Sequence, residues 1–143
     1  MSVRAHGQQR EGIFARQKLP AVAVGASRVL LGLTALCSPG RVADLFGLGR
    51  SPASKAVACY LGARDFVMGA GLLTSGTASS ITQWALACSV VDLSDAVSTC
   101  VAVRKRWIDP RKGRRVVVLA AASAAAALAA AVVNRATDRA EGS

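Results

Sequence analysis

Residues 81–103 read ITQWALACSVVDLSDAVSTCVAV, and the only charges in this long apolar run are Asp92 and Asp95. At about 1.5 Å per residue a run of this length spans the roughly 30 Å hydrocarbon core of a bilayer. Placed on a helix at about 100° per residue, Thr82, Ala85, Cys88, Ser89, Asp92, Asp95, Ala96 and Thr99 fall within one arc of about 140°. Leu86, Val90, Val91, Val97 and Val101 lie outside that arc, and Gln83, Ser94 and Ser98 break the pattern. The run therefore predicts a membrane-spanning helix with a polar inner face and an apolar face toward lipid.

Three further apolar blocks flank it, at residues 19–37, 53–73 and 116–133. The 143-residue chain is 52% apolar and 18% charged, with a mean hydropathy of +0.39. That leaves too little polar cover for a soluble domain and too much apolar content for a disordered chain. Aromatics are only 4%, so the apolar content is mostly Ala, Val, Leu and Gly, the material of closely packed membrane helices. The predicted fold is all-α and integral to the membrane: a bundle of four transmembrane helices, about 19–37, 53–73, 81–103 and 116–133, within a domain at 19–134. The fourth block is the weakest, because residues 120–131 are almost pure Ala.

The connections support this order. Residues 1–18 carry Arg4, Arg10, Arg16 and Lys18 without apolar periodicity and predict a basic, mobile arm, with Pro20 in the first turn of the first helix. Residues 135–143 predict a polar tail. Ser38-Pro39-Gly40 breaks the chain after the first block, and residues 41–48 then set Val42, Leu45, Phe46 and Leu48 against Arg41 and Asp44, as a short interfacial helix would. The uncharged stretch 74–80 predicts a tight hairpin. The first block fails as a cleaved signal segment, since Leu36 stands where a small residue is needed and Arg28 interrupts the apolar centre.

The net charge of +10 is not spread over a folded face as nucleic-acid binding requires, so no nucleic-acid partner is expected. Its densest run, residues 104–115, lies between two apolar blocks and predicts attraction to anionic lipids. In a four-span arrangement ten cations fall on the side of the loops after helices one and three, against six on the side of the termini. By the positive-inside rule both termini then lie outside the cytoplasm. Cys37, Cys59, Cys88 and Cys100 form no CxxC, and His6 is the only histidine, so neither a metal site nor a cofactor is expected.

Five ionisable residues sit near helix midpoints: Arg28 in the first, Arg64 and Asp65 in the second, Asp92 and Asp95 in the third. At about 2.5–3.5 kcal/mol each, five unpaired charges would cost on the order of 12–17 kcal/mol, so they must pair or line a wet cavity. Helical phase puts Arg28 on a stripe with Ala21, Gly25, Gly32 and Ala35, and Asp65 on one with Ala58, Gly62 and Gly69. Arg28 is expected to meet Asp65 or Asp92, and Arg64 to meet Asp95 or a neighbouring subunit. The cluster carries a formal charge of minus one. It reads either as an ionic lock that fixes helix register or as the site of a small lipophilic ligand. An enzyme using Asp92 or Asp95 as general acid or base on a lipophilic substrate, and a dimeric transporter, stay open beside these, as does a homodimer.

Arg28-x-x-x-Gly32, the Ser38-Pro39-Gly40 break followed by Leu45-Phe46-Gly47, the run Gly62-Ala63-Arg64-Asp65-x-x-x-Gly69 and the Asp-bearing third helix resemble the domain-of-unknown-function family 4267. The likeness covers roughly residues 20–133, and Gly-Ala-Arg-Asp is its most specific element. It implies a small four-helix membrane protein with Arg64 and Asp65 as signature pair, and it implies no activity. Arg in place of Lys and the Ala richness fit a GC-rich bacterial genome, so the expected location is the bacterial inner membrane, crossed several times.

Overall fold

The computed structural model describes residues 3–141, with side chains from 19 to 136. Five helices follow in order, α1 (Val3–Cys37), α2 (Pro39–Leu45), α3 (Pro52–Thr74), α4 (Ala78–Arg104) and α5 (Pro110–Glu141), with no strand among the described residues. Four of them contain stretches long and apolar enough to cross a membrane: Leu19–Cys37, Pro52–Thr74, Ala78–Arg104 and Pro110–Ala136.

The breaks between helices are chemically explicit. Pro39 occupies the first turn of α2. That helix ends when Gly47 takes a left-handed φ of 79°, with Gly47 N–H donating to the Asp44 carbonyl and Leu48 N–H to the Ala43 carbonyl. This pair of bonds satisfies carbonyls that the helix end would otherwise leave open, and it needs a residue that tolerates positive φ. Ser51 caps α3 by accepting from Ser54 N–H, and Pro52 follows it. Thr77 and Ser80 form a reciprocal cap on α4, which turns the chain back within three residues of the end of α3. Asp109 caps α5, its Oδ1 accepting from the N–H groups of Arg111 at 2.7 Å and Lys112 at 3.2 Å.

α1 packs chiefly on α3 and α4 chiefly on α5, while α1 touches α5 and the α3–α4 seam is sparse. The α1–α3 crossing is made backbone to backbone. A Cβ placed on Gly32 would lie 2.6 Å from both the Gly62 carbonyl oxygen and the Phe66 nitrogen, and one on Gly69 would lie 2.6 Å from the Gly25 carbonyl oxygen. The α4–α5 pair is likewise closed by small side chains, with Ala85, Cys88, Ala127 and Ala131 all essentially sealed. Among apolar lipid tails helices gain little by burying apolar surface, so close van der Waals approach and interhelical hydrogen bonds do the work.

Several boundaries differ from the sequence reading. The basic segment 104–115 is not one loop: α4 runs to Arg104, and Arg111–Arg115 already belong to α5, because the Asp109 cap starts that helix before its apolar part begins. The backbone of residues 3–18 continues α1, so Pro20 lies inside that helix and not in its first turn. The reading of 1–18 as a mobile arm falls on residues whose side chains lie outside the described ones. The expected tail is helical as far as Glu141, since Arg135, Ala136, Arg139, Ala140 and Glu141 are good helix formers and no breaker intervenes. The short helix between the first two spans runs over 39–45, with Val42 and Ala43 buried against Ala35 and Ala58.

Candidate functional site

The α1–α3 crossing has Arg28 of α1 at its centre, between Gly25 and Gly32, facing Asp65 of α3 between Gly62 and Gly69. All six residues are buried. Because neither helix has bulk on this face, the guanidinium has room to lie between the backbones. Its Nη1 donates to Asp65 Oδ1 at 2.9 Å, and its Nη2 donates to the Cys88 carbonyl of α4 at 3.4 Å and pairs with Asp92 of the same helix. Arg28 thus reaches across the bundle from α1 to α4.

Arg64, one residue before Asp65, points toward the α3–α4 seam. It makes a two-pronged pair with Asp95, Nη1 to Oδ1 at 2.9 Å and Nη2 to Oδ2 at 2.7 Å. The same Nη2 lies 3.3 Å from Asp65 Oδ1. Asp65 Oδ1 therefore serves both arginines, and the five charges form one alternating chain: Asp92, Arg28, Asp65, Arg64, Asp95. The chain starts and ends on α4, passing through α1 and α3.

Burial is graded along it. The Arg28, Asp65 and Asp92 side chains are 5%, 11% and 8% exposed, whereas Arg64 and Asp95 are 26% and 32% exposed. The inner end is closed in protein, and the outer end opens sideways where α3 and α4 pack least. Arg28 Nε and Arg64 Nε are buried without an acceptor. Among the described residues no group of His, Cys, Asp and Glu gathers as metal ligands would.

All five residues singled out in the sequence meet here. Of the alternatives left open for Arg28, both are realised, since it holds Asp65 and Asp92 together. Arg64 meets Asp95 within the same chain, without help from a second subunit. On α4 five of the eight arc residues, Thr82, Ala85, Cys88, Asp92 and Ala96, are buried and Ser89, Asp95 and Thr99 are half-buried, while Gln83, Ser94 and Ser98 face outward. Leu86 and Val91, expected toward lipid, instead pack partly against the core.

Three interhelical contacts carry no mark in the sequence reading, the first of them Ser89 Oγ of α4 donating to the Ala124 carbonyl of α5 at 3.2 Å. Asn134 of α5 is buried, and its Nδ2 donates to Thr82 Oγ1 at 3.0 Å and also to the Ala78 carbonyl. Its spacing from Ala127 and Ala131 is the signal that would have found it, as the polar end of the α5 inner stripe. At the other end of the bundle Lys112 Nζ donates to Asp44, 3.1 Å from Oδ1 and 3.0 Å from the carbonyl oxygen, which ties α5 to α2. The Lys112 hydrogen bond holds the Asp44 carboxyl below the usual carboxylate range, and backbone N–H bonds from Lys112 and Arg111 do the same for Asp109.

No known family profile, curated protein or solved structure matches the chain.

Proposed function

We propose that the five-charge chain is the lock of a small, non-enzymatic multi-pass membrane protein, joining the α1–α3 pair to the α4–α5 pair in one register. The observation that carries this reading is Arg28, which holds an aspartate of each pair at once. Charges at this depth are tolerated when they satisfy one another, and in doing so they specify which helix faces meet. The resemblance to family 4267 belongs to the same proposal, since its signature Arg64 and Asp65 are adjacent links of the chain. So does the orientation: the end that holds Arg41, Arg50, Lys55, Arg104–Arg106 and Arg111–Arg115 faces the cytoplasm of a bacterial inner membrane.

Arg64→Leu and Asp95→Leu, each alone, should lower the stability of the protein in mixed micelles, and the double variant should recover most of the loss. The pair is suited to this test because it is the most nearly one-to-one contact in the chain. Single variants as stable as wild type would sink the lock.

The exposure of Arg64 and Asp95 at the sparse seam favours one second reading, a small lipophilic ligand with hydrogen-bonding groups that enters from the bilayer. In that reading Asp95, and not the enclosed Asp92, is the carboxylate a ligand or substrate meets first. Asp95→Asn would then abolish ligand response while keeping the protein folded.

A further inference from the structure

Where α1 ends and α3 begins, Ser38, Pro39, Gly40, Arg41, Arg50 and Lys55 line an open depression of about 460 Å³. Three of these residues are cations and none is an acid. Arg41 and Lys55 have no acid within ion-pairing distance among the described residues, and Arg50 reaches Asp44 only at 3.6 Å, with its own side chain 67% exposed. Asp44 is meanwhile engaged by Lys112. Asp44 is thus shared between Arg50 and Lys112 and lies closer to Lys112, which leaves Arg41 and Lys55 without a counter-charge among the described residues.

Its depth in the fold is equally specific. The depression begins one residue after the first span ends at Cys37 and flanks the second span where it starts at Pro52. Trp107, 70% exposed at the same end of the bundle, carries Lys105 Nζ 5.4 Å from its ring centroid, the kind of amphipathic ring that settles among headgroups. On the last turns of α1, Leu33 and Leu36 are exposed, as are Val57 and Tyr60 on the first turns of α3.

We propose that this depression binds the phosphodiester headgroup of an anionic phospholipid, with Arg41, Arg50 and Lys55 on the phosphate oxygens. A soluble phosphate offers the same anion, but the exposed apolar flanks of α1 and α3 beside the depression give acyl chains a surface that soluble phosphate would leave bare. The site is separate from the buried ion chain and does not depend on what that chain does.

Native mass spectrometry of the protein in a neutral detergent, titrated with phosphatidylglycerol, tests this directly. Wild type should retain one lipid per chain, in preference to zwitterionic phosphatidylcholine. The variant R41Q/R50Q/K55Q should bind it on the order of a hundredfold more weakly, at about fivefold per cation removed. R104Q/K105Q/R106Q removes the same charge from the same end and should change binding less than about threefold, since it acts only through the screened field. Lys55→Gln breaks no ion pair, and its own loss of about fivefold decides the matter if the triple variant does not fold. Equal retention of phosphatidylcholine, or equal weakening by the loop variant, overturns the proposal. Displacement of the lipid by inorganic phosphate or glycerol 3-phosphate at matched concentration would make this a site for soluble phosphates and overturn the lipid assignment.

Discussion

Arg28 and Asp65 meet at 2.9 Å midway along two antiparallel helices, each flanked on its own helix by glycines that let the two backbones touch. Close approach and charge pairing are therefore one device. The glycines bring the helices near enough for a guanidinium to reach a carboxylate and a second helix beyond it.

Widening that crossing should be costly. Gly32→Ala and Gly69→Ala each put a methyl group 2.6 Å from backbone atoms of the partner helix, and each should destabilise the protein by about 1–3 kcal/mol. Gly76→Ala meets nothing within 4 Å and should stay within about 0.5 kcal/mol of wild type. Reversible unfolding in mixed micelles measures all three.

Removing the enclosed arginine should hurt more than removing the accessible one. Arg28→Ala strands Asp92 in the bundle interior and leaves Asp65 to Arg64 alone, a loss of about 3–5 kcal/mol, the range for a buried pair that loses one partner. Arg64→Ala leaves Asp95 with access to its surroundings, and the expected loss is about 1–2 kcal/mol. The same unfolding measurement ranks them, and an equal or reversed order would contradict the gradient of burial.

Acid should loosen the tie between α2 and the start of α5. The Asp44 carboxyl is held below its usual range in the fold, so its tie to Lys112 is fully present above the ordinary carboxylate range and is lost as pH falls through the lowered value. Asp109 follows the same sign. Between about pH 5 and 8 the distance between α2 and the start of α5 should be constant, and it should grow below about pH 4. Spin labels on Leu45 and Arg114 would report it, and Lys112→Met should show the open distance at neutral pH.

At the opposite end Asn134 holds α5 to the start of α4. Asn134→Ala should cost about 0.5–1.5 kcal/mol, the range of interhelical hydrogen bonds in membrane bundles. Since Thr82 supplies one of the acceptors, Thr82→Ala should cost less than Asn134→Ala, and the two losses should not add. A double-mutant cycle gives the answer.

The span at 19–37 and the inner faces of α1, α3 and α4 are legible in the sequence because a helix forces a fixed angle between successive residues. A stripe such as Gly62, Asp65 and Gly69 can be drawn without knowing what it faces. The offset between two helices is set by packing, and no periodicity encodes it. That is why the sequence offers Asp65 or Asp92 to Arg28, whereas the bundle gives both, and why the sharing of Asp65 between two arginines was invisible. The start of α5 was misplaced for a related reason. Hydropathy registers where the apolar part begins, at Val116, while the helix starts where Asp109 caps it.

Arg28 is also synthesised 37 residues ahead of Asp65. When α1 first leaves the ribosome it presents to the insertion machinery a bare guanidinium worth about 2.5–3.5 kcal/mol against entry, with no partner yet made. Such a helix is a marginal span until α3 arrives, so the natural unit of biogenesis is the α1–α3 hairpin and not the single helix. A chain truncated after residue 50 should integrate poorly, one truncated after residue 80 should integrate well, and Arg28→Leu should erase the difference.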